Sequence, residues 1–196
     1  MVPETTTAVA ESWFRAPTCT DWTRLMHALT EEQIRASLVN TSRRETNQAV
    51  LPDLTQVAWE RLDYLGWHDL KRPLESYVVL EVGNEVVGIA LRAAPRSGVR
   101  RKALCAWCQD IVSTAEVSMF VARRAGPRGR RGDTVGTLIC ADFRCSRNVR
   151  RTPLVEEVGS NDPDDRARLV ERRTRGLRER SSLFLANLRD EGHRHE

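Results

Sequence analysis

The sequence predicts an α+β protein in which antiparallel β-hairpins surround a cluster of four cysteines, with an N-terminal helix and a long C-terminal helix. Three observations predict this arrangement. A helix-start signal stands at residues 30–34, strand-like segments pair within residues 77–140, and apolar residues recur at helical spacing after residue 164. The 196 residues, 40% hydrophobic and 30% charged, suit one domain of ordinary size with extensions.

The first helix is predicted from a capping box. Thr30 stands three residues before Gln33, a spacing that lets each side chain bond the other residue's backbone N–H. Ile34 and the apolar residues after it supply a stripe at helical spacing. We therefore expect a helix from residue 31 to about residue 41, followed by a polar loop at residues 43–47.

A first β-hairpin is predicted from two branched apolar segments. Tyr77–Val82 and Glu85–Leu91 flank Gly83 and Asn84, a two-residue turn of the kind that needs positive φ. Gly88 within the second strand indicates a bulge or the close approach of a neighbouring element.

A second hairpin is predicted at Val117–Ala122 and Thr134–Cys140, where β-branched and aromatic residues are again enriched. The loop that joins these strands, residues 123–133, carries five arginines and three glycines. Because so many charges resist burial, we expect this loop to project from the sheet.

Two close pairs of cysteines lie at the ends of the second hairpin. Cys105 and Cys108 form a Cys-x-x-Cys turn, and Cys140 and Cys145 follow about 31 residues later. Both pairs together have the spacing of a zinc site with four thiolate ligands. The alternatives are buried thiols without a metal and a redox dithiol in the first pair, although a redox Cys-x-x-Cys normally opens a helix after a βα unit.

The second cysteine pair predicts a strand followed by a helix. Asp142 is a suitable N-cap for a helix that begins near Phe143, which would place Cys145 at its third position, where the positive helix end favours a thiolate. A cysteine turn, a hairpin and a helix that supplies the last ligand make a treble-clef zinc finger. Four thiolates fill the coordination shell, so we expect one structural Zn²⁺ and no catalytic metal.

Positive charge is concentrated around the cysteines. Residues 92–151 contain fourteen arginines and lysines against four acids, a net charge of +10 within a chain of net charge +4. Such a surface favours an acidic partner, either nucleic acid or an acidic protein face. We expect the loop of the second hairpin to lie close to the closing helix, which is the predicted helix that carries Cys145. Together they are expected to carry the partner-binding residues, which are Arg123, Arg124, Arg128, Arg130, Arg131, Arg144 and Arg147.

The chain divides into four predicted parts. Residues 1–29 show no sustained period and are expected to be a poorly ordered extension, and residues 30–152 form the zinc-finger domain. Residues 153–163 have the composition of a linker. Residues 164–196 are predicted to form a helix and tail, and the helix either folds back on the domain, seeks a partner or stays in solvent.

Several function classes lack support in the sequence. No glycine-rich phosphate loop has the required spacing, and no histidine lies in a recognisable catalytic motif. The longest apolar run is interrupted by charges, and residues 1–5 do not resemble a secretory signal. We therefore expect a cytoplasmic, non-enzymatic protein with neither a small-molecule substrate nor a membrane contact.

The arginine-rich frame and the cysteine spacing resemble a known family. The segments that carry the resemblance are residues 65–67, 90–97, 121–126, 129–137 and 140–150, together with the Cys105 turn. They are similar to the C-terminal zinc-finger domain of the elongation-factor-G-binding proteins of fusidic acid resistance type, in the actinobacterial branch. The resemblance covers about residues 29–152, and the tails at both ends have no counterpart in it.

The resemblance implies a binding protein of the translation machinery. Its partners would be elongation factor G and/or the ribosome, and its effect would be release of the factor from stalled ribosomes and protection against fusidic acid. The alternative is a zinc finger that binds RNA, such as ribosomal RNA, or DNA directly. Stacking aromatics would favour nucleic acid, but Trp107 and Phe143 are the only obvious candidates in the basic stretch.

Overall fold

A computed structural model describes residues 25–94 and 102–189, except for the side chain of Ala115. Cys19, Arg96, Arg100 and Arg101, most of the N-terminal extension and the end of the C-terminal tail lie outside the described residues. Within the extension, Met26 and Leu29 are buried in the core. The expected poor order is therefore wrong for residues 25–29.

The core is a five-stranded antiparallel sheet in which every strand pairs with its neighbour in sequence, in the order β1-β2-β3-β4-β5. The strands are β1 (Leu65–His68), β2 (Glu75–Val82), β3 (Glu85–Ala93), β4 (Val117–Arg123) and β5 (Thr134–Cys140). Both predicted hairpins are confirmed as β2–β3 and β4–β5, and Gly83 takes a φ of 62° in the first turn.

Six α-helices accompany this sheet within the described ranges. They are α1 (Glu31–Ser37), α2 (Arg43–Gln48), α3 (Gly126–Arg130), α4 (Cys145–Val149), α5 (Val155–Val158) and α6 (Pro163–Arg189). Single 3₁₀ turns occur at Leu54–Gln56, Trp59–Arg61 and Thr114–Glu116. The predicted α+β class, with an N-terminal and a long C-terminal helix, is confirmed.

The two faces of the sheet are covered by different layers. Gly66 pairs with Val78 and Gly88 pairs with Val79, so the two glycines face opposite sides. A Cβ on Gly88 would lie 2.5 Å from Ser37 Oγ at the end of α1, whereas a Cβ on Gly66 would lie 2.6 Å from the Phe143 ring. One layer is therefore α1 with its neighbouring loops, and the other holds the cysteine region, α4 and α6.

The N-terminal helix is shorter than predicted. The capping box of Thr30 and Gln33 forms as expected, but α1 ends at Ser37 and the chain then runs beside β3, where the Val39 N–H donates to the Gly88 carbonyl at 2.9 Å. The close neighbour predicted for Gly88 is this segment. Residues 43–47, predicted as a polar loop, belong to α2, because a second capping box at Ser42 starts a helix there.

An asparagine side chain fills a gap between β3 and β4. These two strands pair only at Arg92 with Val121 and at Ala93 with Phe120. Beyond that point the Asn40 amide accepts from the Ala90 N–H at 2.8 Å and donates to the carbonyls of Ala90 and Arg123 at 2.9 and 3.0 Å. The side chain thus replaces backbone hydrogen bonds that direct pairing of the two strands would make.

The C-terminal helix folds back on the sheet. Leu177, Leu185 and Leu188 of α6 are buried in the common core. Phe184 is partly buried and packs against the same core. The stretch predicted as a linker contains α5, which is followed by Gly159 in the left-handed conformation as its C-cap.

Candidate metal centre

Two segments bring the four cysteines together. Cys105 and Cys108 lie in a turn that the Gln109 N–H closes by donating to the Cys105 carbonyl at 3.0 Å. The Ala106 N–H donates to the Leu138 carbonyl at 2.7 Å and attaches this turn to the edge of β5. Strand β5 ends at Cys140, and α4 begins at Cys145.

The sulfur positions fit a tetrahedral metal. All four Sγ atoms lie within 4.8 Å of one another, and both Cys105–Cys145 and Cys108–Cys140 are 3.6 Å apart. A zinc ion with Zn–S bonds of about 2.3 Å requires sulfurs about 3.8 Å apart. A disulfide would require about 2.05 Å. Because the close pairs join the two segments rather than the Cys-x-x-Cys thiols, the geometry favours a metal over a redox dithiol.

Two nitrogen donors reach the sulfurs of the cluster. The Cys108 N–H donates to Cys105 Sγ at 3.4 Å, and Asn148 Nδ2 donates to Cys140 Sγ at 3.3 Å. Hydrogen bonds from the Cys108 thiol and from the other two thiols hold the pKa of Cys105 below its ordinary value, whereas the hydrogen bonds with Cys105 raise the pKa of Cys140 and of Cys145. All four cysteines are buried, and their shared chemistry of soft sulfur donors matches zinc.

The closing helix starts later than predicted. Phe143 has a φ of 59°, in the left-handed region, so the residue cannot belong to a right-handed helix. Helix α4 therefore begins at Cys145, with Arg144 rather than Asp142 as the N-cap, and Cys145 is its first residue rather than its third. The Phe143 ring packs over Gly66 and 5.3 Å from the Phe120 ring, which offsets the cost of the strained backbone.

Aromatic rings enclose the cysteine turn. Trp107 is 1% exposed and lies edge-on to Tyr64 at 5.2 Å, with Phe184 of α6 at 5.8 Å. Burial raises the pKa of the Tyr64 hydroxyl well above its ordinary value, and the nearby Cys145 thiolate acts in the same direction. Since Trp107 and Phe143 are both buried, neither ring offers a surface on which a base could stack.

Helix α6 is attached to this region by ion pairs that the sequence did not reveal. Asp63, whose side chain is fully buried, accepts from Arg178 Nε at 2.7 Å and from both terminal nitrogens of Arg150. These contacts join the segment before β1 to α4 and α6. Their sequence separations reach 115 residues, so no local pattern indicates them.

A second ion-pair network lies under α5. Arg151 donates to Asp110 and, in a two-nitrogen contact, to Glu157, which also receives Arg173 from α6. The hydrogen bond from Arg151 lowers the pKa of Glu157 to about 2. Arg150 and Arg151 were both counted in the net positive charge of residues 92–151. In the structure, both guanidiniums are mostly buried in ion pairs and do not belong to the exposed surface.

The seven candidate partner-binding arginines fall into two groups. Arg123 pairs with Glu45 at 2.5 Å, Arg124 donates to Asn187, Arg128 pairs with Asp133 at 2.9 Å and Arg144 pairs with Asp142 at 2.5 Å. Arg130, Arg131 and Arg147 are exposed, and their side chains make no hydrogen bond or ion pair within residues 25–94 and 102–189.

The loop of the second hairpin contains a short helix and contacts α6 at its base. Residues 126–130 form α3, and the Ala125 N–H donates to the Leu188 carbonyl at 3.0 Å, at the end of α6. The expectation that this loop lies near Arg144 and Arg147 is wrong. The loop joins β5 at Thr134 and α4 follows its other end at Cys140, about 20 Å away for a strand of this length.

The fold and the site together define a class of protein. A cysteine turn, a β-hairpin and a helix whose first residue is the fourth cysteine form a treble-clef zinc finger with one structural Zn²⁺, and the zinc predicted from the sequence is confirmed. None of the helices within the described ranges is long and apolar enough to cross a membrane.

The chain belongs to the FBP C-terminal treble-clef zinc-finger family, whose model matches residues 33–188. The family predicted from the sequence is thereby confirmed, and the match extends through α6. Among solved structures, the fusidic acid resistance protein FusC matches with 21% identity and a TM-score of 0.49. The match covers 64% of this chain and 54% of the FusC chain. No curated protein sequence matches the chain.

Proposed function

We propose that this protein is a non-enzymatic binding protein of the translation machinery, that it acts in the cytoplasm, and that its partner is elongation factor G and/or the ribosome. The observation that carries the proposal concerns Arg130, the last residue of α3, and Arg131, which follows it: both are exposed, and neither side chain makes a hydrogen bond or ion pair within residues 25–94 and 102–189. The hydrogen bond from Ala125 to Leu188 holds this loop against α6. The resemblance to elongation-factor-G-binding proteins of fusidic acid resistance type supports this choice of partner. Protection against fusidic acid would be the physiological effect.

The filled metal shell supports a binding role. Four thiolates leave zinc no open position for water or substrate, so the ion stabilises the fold of the hairpin rather than performing chemistry. Reduced cysteine ligands also fit the cytoplasm, where thiols are kept reduced.

An acidic protein face fits the surface better than RNA does. Sequence-specific RNA binding relies on stacking, but Trp107 and Phe143 are buried. Arg130 and Arg131 are long, charged and held on a rigid base, which favours fast electrostatic association. Direct binding to ribosomal RNA or DNA through phosphates is the alternative that the experiment must distinguish.

We propose different roles for the seven arginines. Arg130 and Arg131 contact the partner, whereas Arg123, Arg124 and Arg128 hold the loop by their contacts within the chain. Arg144 and Arg147 belong to a separate contact at the opposite end of the hairpin.

The test compares two double variants of equal charge. Arg130→Ala with Arg131→Ala removes the proposed contact, and Arg172→Ala with Arg175→Ala removes two exposed charges from α6. We expect the first variant to bind purified elongation factor G at least about tenfold more weakly, roughly 1.4 kcal/mol, with unchanged zinc content and melting temperature. The control variant should bind nearly as the wild type does.

Affinities for elongation factor G and for ribosomal RNA are measured at low and high salt, because exposed charges are screened over about 8 Å at physiological ionic strength. Wild-type protein that binds RNA but not the factor would establish the alternative. If both variants bound the factor equally well, the contact would not involve Arg130 and Arg131.

A further inference from the structure

Arg180 connects the C-terminal helix to the cysteine turn. Its Nε donates to the Trp107 carbonyl at 2.7 Å, and Trp107 stands between the two cysteines of the Cys-x-x-Cys turn. The guanidinium is partly buried, and this burial lowers the pKa of Arg180, while the nearby Cys108 and Cys105 thiolates act in the opposite direction. Arg180 therefore presents a positive charge to one side of the metal centre.

A glycine one turn earlier on α6 makes room for this guanidinium. A Cβ on Gly176 would lie 2.6 Å from Arg180 Nη1 and 3.1 Å from its Cζ and Nη2. Glycine is a poor helix former, and Gly176 stands in the middle of a 27-residue helix. The guanidinium thus lies flat over the one position in this turn that has no side chain.

A nearby positive charge offsets the negative charge of such a metal centre. Four thiolates and one Zn²⁺ leave two net negative charges in a buried site, where unpaired charge is costly. The Cys108 N–H and Asn148 Nδ2 supply neutral donors to two of the sulfurs. A permanently charged guanidinium adds a compensation that these dipoles do not supply, and outer-shell partners of this kind are known to tune metal affinity.

We propose that Arg180, lying over Gly176, is a positioning residue of the zinc centre, so that docking of the C-terminal helix and retention of zinc stabilise each other. The helix supplies the compensating charge, and the metal holds the turn whose carbonyl receives Arg180. Release of either one weakens the other.

The experiment measures the rate of zinc transfer from full-length protein to an excess of chelator, together with the melting temperature of the zinc-loaded protein. Arg180→Met keeps the packing of the stem and removes the charge, whereas Arg180→Lys keeps a charge. Arg175→Met is the control, because Arg175 is 60% exposed on the same helix. We expect release from Arg180→Met to be about tenfold faster or more, partial rescue by Arg180→Lys and no change in the control.

Gly176→Ala separates this role from a structural one. Alanine favours the helix, so the melting temperature should stay level or rise, yet its methyl group displaces the guanidinium and zinc release should be several-fold faster. Adding Gly176→Ala to Arg180→Met should cause no further acceleration, since both changes remove one interaction.

The proposal is overturned if Gly176→Ala and Arg180→Met release zinc at the wild-type rate, or if Arg180→Lys is as fast as Arg180→Met. Should Arg180→Met fail to fold, the Gly176→Ala variant alone decides between the outcomes, because its release rate either rises without loss of stability or does not.

Discussion

Removal of the Asp63 charge should destabilise the whole fold. The Asp63 side chain is 0% exposed and pairs with Arg150 and Arg178, which are 30% and 11% exposed. In Asp63→Asn the shape of the side chain is kept, but two largely buried guanidiniums lose their anion. Breaking a buried pair from one side costs about 3–5 kcal/mol, and the partial exposure of Arg150 places this case near 3 kcal/mol.

For a chain of this size, such a loss lowers the melting temperature by about 6–12 °C. The assay is urea and thermal unfolding followed by far-UV circular dichroism at a fixed free zinc concentration, because bound metal contributes to apparent stability. Glu171→Gln serves as the matched control, since Glu171 is 74% exposed and its pair with Arg175 is 3.5 Å long. That control should change stability by less than about 0.5 kcal/mol.

A loss below about 1 kcal/mol in Asp63→Asn would refute the reasoning, because the two arginines would then be as well satisfied by water as by the carboxylate. A loss that vanished in the presence of Arg178→Met would assign the effect to the contact with α6 rather than to the contact with α4.

Three further predictions concern the acid side of the stability curve, the metal and the sheet. Because the pKa of Glu157 falls from 4.5 to about 2 on folding, its contribution, on the order of 3 kcal/mol, is present above pH 4.5 and is lost as the pH falls toward 2. In Glu157→Gln the free energy of unfolding should therefore depend less on pH in this range. A pH dependence equal to that of the wild type would contradict the role given to Glu157. Cys108→Ser should lose zinc and unfold the hairpin region, whereas Cys19→Ser should keep a full equivalent by metal analysis; equal zinc loss in both would show the ligand set to be wrong. Gly66→Ala should lower the free energy of unfolding in denaturant by about 1–3 kcal/mol, because its Cβ would lie 2.6 Å from an aromatic ring. Gly136→Ala should lower it less, because the nearest neighbour of its Cβ would be a methionine sulfur at 3.3 Å. Equal losses in the two variants would count against this packing.

The features that the sequence predicted well depend on short separations along the chain. The Thr30 capping box, the turn at Gly83 and Asn84 and the two strands that flank residues 124–133 all follow from neighbouring residues. The spacing of four cysteines likewise predicted the metal, because few arrangements of two close pairs serve any other purpose.

The features that it missed depend on contacts between distant residues. Helix α1 ends early because the chain turns to pair with Gly88, fifty residues away from Leu38. Helix α4 starts late because the Phe143 ring turns into the core over Gly66. Charge counting included Arg150 and Arg151 in the net positive charge of residues 92–151, but their partners in the fold are acids that no local pattern connects with them.

The Asn40 amide sets how the sheet can come apart. Since β3 and β4 share two residue pairs and the Ala94–Met119 hydrogen bond, the sheet can be divided into a three-stranded unit and the metal-bearing hairpin, and the Asn40 amide adds hydrogen bonds to both. Units with so few shared bonds open separately in native-state hydrogen exchange. Amide protons of β2 and β3 should therefore exchange independently of those in β4 and β5, and Asn40→Ala should speed exchange where the two units meet.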